Sequence, residues 1–225
     1  MCAAALFFMM TGGLVLAADT TEAEPVQAVA AATQTKAKTA QAAPVQQTYS
    51  LDLDTTKYEK KTMTVDGKKV AFRAYENRVY VAHPVDTTYQ SMNIYVPEGY
   101  FNGKTINGYT AKTAPIFLPN TVGGYMPGAP GQPSENDRMT GGANAMLVAL
   151  SKGYVVAAPG ARGRTTQAAD GTYTGKAPAL IVDMKAAVRY LRHNAGKLPG
   201  DTEKIISNGT SAGGALSTLI GATGQ

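Results

Sequence analysis

The strongest constraint on the fold of this chain lies between residues 204 and 220. Lys204-Ile205-Ile206-Ser207-Asn208 is a short, largely apolar run that reads as a strand. Gly209-Thr210-Ser211-Ala212-Gly213 follows, and Gly214-Ala215-Leu216-Ser217-Thr218-Leu219-Ile220 reads as the start of a helix. Strand, tight glycine-flanked turn, serine and helix form the context in which G-x-S-x-G acts as a nucleophile elbow. Such a turn forces the serine into a strained conformation, and the residues two before and two after it can carry almost no side chain. Ser211 is then held above the sheet with its hydroxyl exposed. The helix that follows points its free N–H groups, beginning with that of Ala212, at the same place, where they can stabilise a developing oxyanion.

The elements upstream specify the sheet. Glu59 to Val65 alternates and ends in Asp66-Gly67, a hairpin signal. Lys69 to Tyr75, Arg78 to Ala82 and Ser91 to Val96 continue as strands, giving an antiparallel start. The pattern then changes. Ala114 to Pro119 is a short buried strand, Gly142 to Lys152 a helix, and Tyr154 to Ala158 a strand without a polar face. A strand of that kind is covered on both sides, as in parallel sheets. Ala179 to Asn194 is a helix with Leu180, Met184, Val188 and Leu191 on one face. Alternating strands and helices imply βαβ units in a mainly parallel α/β sheet. The Gly/Pro-rich loop from Asn120 to Gln132 follows directly on a central strand, and its Val122-Gly123-Gly124-Tyr125 segment lets backbone approach a substrate with no Cβ in the way. Gly123 and Gly124 are therefore candidates for the second oxyanion donor, and Tyr125 for stacking on an aromatic acyl group.

Composition narrows the function classes. With 225 residues the chain has room for one domain. Its net charge of +5 comes from scattered Lys and Arg, so no nucleic-acid groove is expected. Cys2 is the only cysteine, which excludes an internal disulfide and a cysteine-based metal site. Residues 1–17 are uncharged and apolar, and Val15-Leu16-Ala17 fits the small-x-small cleavage rule, so a signal peptide is expected there. The missing basic n-region points to a start upstream. Residues 18–48 are rich in Ala, Thr and Gln and cannot build a core, so they read as a disordered linker. The folded domain spans 49–225. A secreted or envelope location follows from this organisation, with no membrane segment beyond the signal peptide. The sequence leaves the oligomeric state open.

Several segments together resemble the amino-terminal half of the bacterial tannases. They are residues 75–81, 89–97, Asn120-Thr121-Val122-Gly123-Gly124-Tyr125, Arg189-Tyr190-Leu191-Arg192 and Gly209-Thr210-Ser211-Ala212-Gly213-Gly214. The resemblance implies an α/β-hydrolase fold and a serine esterase cleaving galloyl esters of small aromatic substrates, with no metal or organic cofactor. Its nucleophile maps onto Ser211, and its oxyanion donors onto the Val122-Gly123-Gly124 loop and Ala212.

One departure stands beside the match. A serine nucleophile needs a base and an acid that orients it. In α/β-hydrolases these follow the serine in chain order, yet no His, Asp or Glu follows Ser211 here. His193 and His83 read as structural or solvent-facing, and Asp183 as a charge on a helix surface. Arg162 and Arg164 read as residues of the loop after a strand, with one or the other held by local carboxylates. The expectation is a fold incomplete at its C-terminus, with the triad acid and histidine beyond Gln225, the elbow strand an open apolar edge, and the chain alone nearly inactive. A broader carboxylesterase or feruloyl-type esterase is the alternative within enzymes. A non-catalytic binding remnant is the alternative outside them.

Overall fold

The computed structural model describes residues 47–138 and 141–223. The expected signal peptide and nearly all of the expected linker lie outside the described residues. Among the described residues lie six strands and three α-helices, and strand and helix alternate only after the first four strands. They are β1 (Glu59–Val65), β2 (Lys68–Val79), β3 (Ser91–Pro97), β4 (Pro115–Asn120), α1 (Ala145–Ser151), β5 (Val155–Pro159), α2 (Ala179–His193), β6 (Asp201–Gly209) and α3 (Ala212–Ala222). The strands form one mixed sheet in the order β1-β2-β3-β5-β4-β6. β1, β2, β3 and β5 pair antiparallel in succession, whereas β5, β4 and β6 run parallel. The antiparallel beginning and parallel continuation agree with the sequence reading.

The hairpin turn at Asp66-Gly67 has positive φ at both residues, 47° and 74°, the handedness that matches strand twist. The two strands expected over Lys69–Tyr75 and Arg78–Ala82 are one, β2. Its register against β3 shifts between Tyr75 and Arg78, where Asn77 sits at φ 56°. The Asn93 side chain accepts the Asn77 N–H at 2.9 Å, so the bulge is bonded from the neighbouring strand rather than ending the ladder. Helix α1 starts three residues later than expected because Asn144 caps it, accepting the Leu147 N–H at 3.0 Å.

The central strands are buried on both faces. On one side Ile94, Ile116, Leu118 and Val155 pack with Met184 of α2 and Leu216 of α3. On the other, Tyr95, Phe117 and Val156 pack with Leu147 and Leu150 of α1. Alternating residues of each strand serve opposite cores, which explains their continuous apolar sequences. β6 lies at the sheet edge, with β4 its partner among the described residues. That edge is less apolar than expected. Ile205 joins the core, while the exposed positions are Glu203, Lys204, Ile206 and Asn208.

A charge cluster ties β2 to the 3-10 turn after β3. Arg73 donates to both carboxylate oxygens of Glu98, at 2.8 and 3.2 Å, and Lys60 lies 3.2 Å away. The Arg73 hydrogen bond, opposed by burial, holds the Glu98 pKa below its ordinary value. Its stabilisation is therefore complete above the unfolded carboxyl pKa of about 4.3 and is lost as pH falls through the folded value. Glu98→Gln is expected to lower stability by about 1 kcal/mol at pH 7. The difference should vanish at strongly acidic pH, as read from urea midpoints at both values.

Candidate active site

The site is built where β6 turns into α3. Ser211 has φ 56° and ψ −122°, a conformation a residue with a Cβ rarely adopts. The turn is tied on both sides, since Gly213 N donates to Thr210 O at 3.0 Å and Ala215 N to Ser211 O at 3.1 Å. The flanking glycines are required by contact. A Cβ on Gly209 would stand 2.5 Å from the backbone carbon and oxygen of Gly213. One on Gly213 would stand 2.7 Å from Asn120 O and 3.1 Å from Val122 O. Ordinary carbon contacts lie near 3.5–4.0 Å, so strand, turn, helix and the loop after β4 meet at backbone distance. Ser211 is exposed, while Ala212, first residue of α3, is buried.

Asn120 joins this turn to the second loop. It ends β4 opposite Gly209 in the parallel register. Its buried side chain donates to Gly213 O at 3.1 Å and accepts the Val122 N–H at 3.4 Å. The loop then opens: Gly123 and Gly124 are exposed, and a Cβ on either would touch nothing within 4 Å. Gly124 and Tyr125 both have φ 57°, and Met126 N closes the turn onto Gly123 O at 3.0 Å. Ser211, Ala212, Gly123 and Gly124 thus leave the sheet together, from the C-terminal ends of neighbouring parallel strands. That is where ligands bind in open α/β sheets. Tyr125 is 45% exposed and, with Arg164, Pro178, Leu180, Leu216 and Leu219, lines an apolar cavity of about 310 Å³.

Neither histidine reaches Ser211. His193 ends α2, where the chain returns to the N-terminal end of β6, the opposite end of the sheet. Its ring stands 3.5 Å from Asp52 and is half exposed. His83 follows β2 at the correct end, but β2 is four strand spacings, ~19 Å, from β6. No cluster of three or more His, Cys, Asp or Glu side chains suited to a metal ion occurs among the described residues.

Asp183 corrects the sequence reading. It is 1% exposed, not a surface charge. Its carboxylate accepts from Arg162 Nε at 2.9 Å and Nη2 at 2.8 Å, from Arg162 N at 3.0 Å, and from Gln90 Nε2 at 2.9 Å. Arg162 Nη1 donates to Thr174 O at 2.9 Å. Hydrogen bonding to Asp183, partly opposed by burial, raises the Arg162 pKa above its ordinary value. Arg162 is therefore held by a carboxylate, as one of the two expected arginines. Arg164 is exposed, its Nε 3.4 Å from Met126 Sδ. A signal for Asp183 was present in the spacing: it lies between Leu180 and Ala187 on the buried face of α2.

A mixed sheet clothed by helices on both faces, with a strained serine at a strand-to-helix elbow, defines this chain as an α/β-hydrolase-type fold. The BD-FAE family matches residues 126–225, including the elbow. The chain is similar to the Fusobacterium nucleatum tannase, with 59% identity and a TM-score of 0.75 over 77% of this chain and 36% of that one. It is similar to the Lactobacillus plantarum tannase at 48% identity and TM-score 0.68, over 76% of this chain and 36% of that one. A tannin acyl hydrolase in complex with ethyl gallate is 47% identical at TM-score 0.68, over 75% of this chain and 37% of that one. Comparison with curated proteins gives no match. The chain belongs to the tannase-like family, and it spans little more than a third of the length of the solved tannases it matches.

Proposed function

We propose that this protein is a secreted serine esterase that hydrolyses galloyl esters through an acyl-enzyme on Ser211. The observation that carries the reading is the positive φ of Ser211, in a turn pressed against an open glycine loop. In this reading Ser211 Oγ bonds to the ester carbonyl carbon, and its proton passes to a base. The carbonyl oxygen, now negative, accepts N–H groups from Ala212 and from Gly123 or Gly124. Collapse breaks the ester C–O bond and the alcohol leaves with a proton. Water then attacks the acyl carbon, releasing the aromatic acid and restoring Ser211. The base comes from neither His83 nor His193, given where they stand. Tyr125 offers a face on which an aromatic acyl ring can stack. The apolar run of residues 1–17 supports secretion.

The aromatic ester class rests on the likeness to a tannin acyl hydrolase bound to ethyl gallate and to another bound to 3,4-dihydroxybenzoate. The BD-FAE match favours a second reading, a broader carboxylesterase or feruloyl-type esterase. The two separate on a panel of methyl gallate, methyl ferulate and a simple acetyl ester, assayed with the full-length protein. The proposal expects kcat/KM for the gallate at least tenfold above the others, and stoichiometric organophosphonate labelling mapped to Ser211. Labelling with preference for the other esters moves the function to the second reading. No turnover and no labelling would leave a binding protein.

A further inference from the structure

We infer that Asp183 and Arg162 form a buried clamp that fixes the Gly123-Gly124 loop in position, and so act as positioning residues for the esterase reaction proposed above. The connection is continuous. Residues 160–164 lie alongside the far end of the glycine loop. Gly128 N donates to Ala161 O at 3.0 Å, Ala161 N to Gly128 O at 2.9 Å, and Arg164 N to Tyr125 O at 2.8 Å. This three-bond rail supports the loop from one side, while Asn120 ties its start to Gly213. The rail has few side-chain anchors of its own, because Gly160 and Gly163 must be bare. A Cβ on Gly163 would stand 2.1 Å from Pro127 N, and one on Gly160 would stand 2.8 Å from Gly128 O.

Arg162, between those glycines, holds the rail to α2. Its backbone N–H and two guanidinium nitrogens all end on the Asp183 carboxylate. The fourth donor to that carboxylate is Gln90, whose Oε1 accepts Val85 N at 2.7 Å and Asp86 N at 3.2 Å. Arg162 Nη1 reaches Thr174 O, adjoining Gly175, where a Cβ would stand 2.1 Å from Gly163 O. The clamp therefore joins α2, the segment before β3 and the segment after residue 172 to the rail. All of its parts are buried or nearly so, with Asp183 1% and Arg162 11% exposed at the side chain. Removing one partner strands the other charge in a buried site, and the rail is the element free to move in response. A loop shift of a fraction of an ångström displaces an oxyanion donor that acts only on the transition state.

The test uses Asp183→Asn and the milder Arg162→Lys, which keeps the charge and loses the fork. Hydrogen exchange on the full chain is expected to be at least tenfold faster at the Gly128 and Arg164 amides in both variants, with β4 and β5 unchanged. In the full-length protein, kcat per Ser211 titrated with organophosphonate should fall about tenfold while KM stays within twofold. Unchanged protection of those amides in both variants would overturn the clamp. So would a lowered melting temperature with unchanged kcat per titrated site, which is the outcome for a merely structural pair. Loosened amides in a protein whose parent hydrolyses no ester would support the clamp's hold on the loop and remove the esterase reading instead.

Discussion

Ser211→Gly is expected to abolish ester hydrolysis and at the same time to make the protein more stable. The first effect rests on the proposed reaction, in which Ser211 supplies the attacking oxygen; loss of that oxygen in serine hydrolases lowers turnover by at least ~10⁴-fold. The second follows from the backbone. At φ 56° and ψ −122° a residue with a Cβ carries strain of about 1–3 kcal/mol. Glycine reaches positive φ without that penalty, but loses about 0.5–1 kcal/mol through the greater freedom of its unfolded chain. The balance favours glycine by about 1 kcal/mol. Ser211→Ala separates the two contributions, because it removes the hydroxyl and keeps the Cβ. It should be as inactive as Ser211→Gly with a denaturation midpoint close to the parent. Denaturant midpoints and gallate turnover on the three proteins check both halves. A lower midpoint for Ser211→Gly than for Ser211→Ala would show that no strain is stored at the elbow.

The elbow was legible because its meaning depends on spacing, and spacing survives in a sequence. Gly209, Ser211 and Gly213 sit between a strand pattern and a helix pattern, and backbone contact dictates both glycines. The two-sided burial of β4 and β5 was legible for a similar reason, since runs such as Val155–Ala158 leave no polar face. Other features depend on partners distant in the chain. The β2 bulge is bonded by Asn93, sixteen residues beyond Asn77, and nothing near Glu76-Asn77 announces that the strand continues. Asp183 reads as exposed from the sequence because charged residues on helices usually are. Its burial depends on Arg162 and Gln90, which arrive from other loops. Asn120 reads as an ordinary loop start until β4 and β6 are paired and it stands opposite Gly209. The insertion of β5 between β3 and β4 is likewise a property of the assembled sheet rather than of any local stretch.

Gly209→Ala is expected to dismantle the site without touching a reacting atom. The added Cβ would lie 2.5 Å from both the backbone carbon and oxygen of Gly213 and 2.9 Å from its Cα. Reaching ordinary contact requires a separation of about 1 Å between the end of β6 and the first turn of α3. Gly213 cannot retreat, because its other side already faces Asn120 O and Val122 O, and its own carbonyl accepts the Asn120 side chain. β6 cannot retreat either without breaking its parallel register with β4, which runs to Asn120 and Gly209. The junction itself must open, carrying Ser211 and the Ala212 N–H with it. Overpacking of this kind costs about 1–3 kcal/mol, and backbone on both sides places this site at the upper end. A displacement of about 1 Å at the nucleophile costs on the order of 10²-fold in rate. Gly221→Ala supplies the opposite sign from the same helix. Its Cβ would meet nothing within 4 Å, so it should gain about 0.5–1 kcal/mol through helix propensity and leave turnover unchanged. Denaturant midpoints and the rate of organophosphonate labelling at Ser211 report on both variants. Equal labelling rates for Gly209→Ala and the parent would mean that the junction accommodates the methyl group without moving the serine, contrary to the contacts at Gly213.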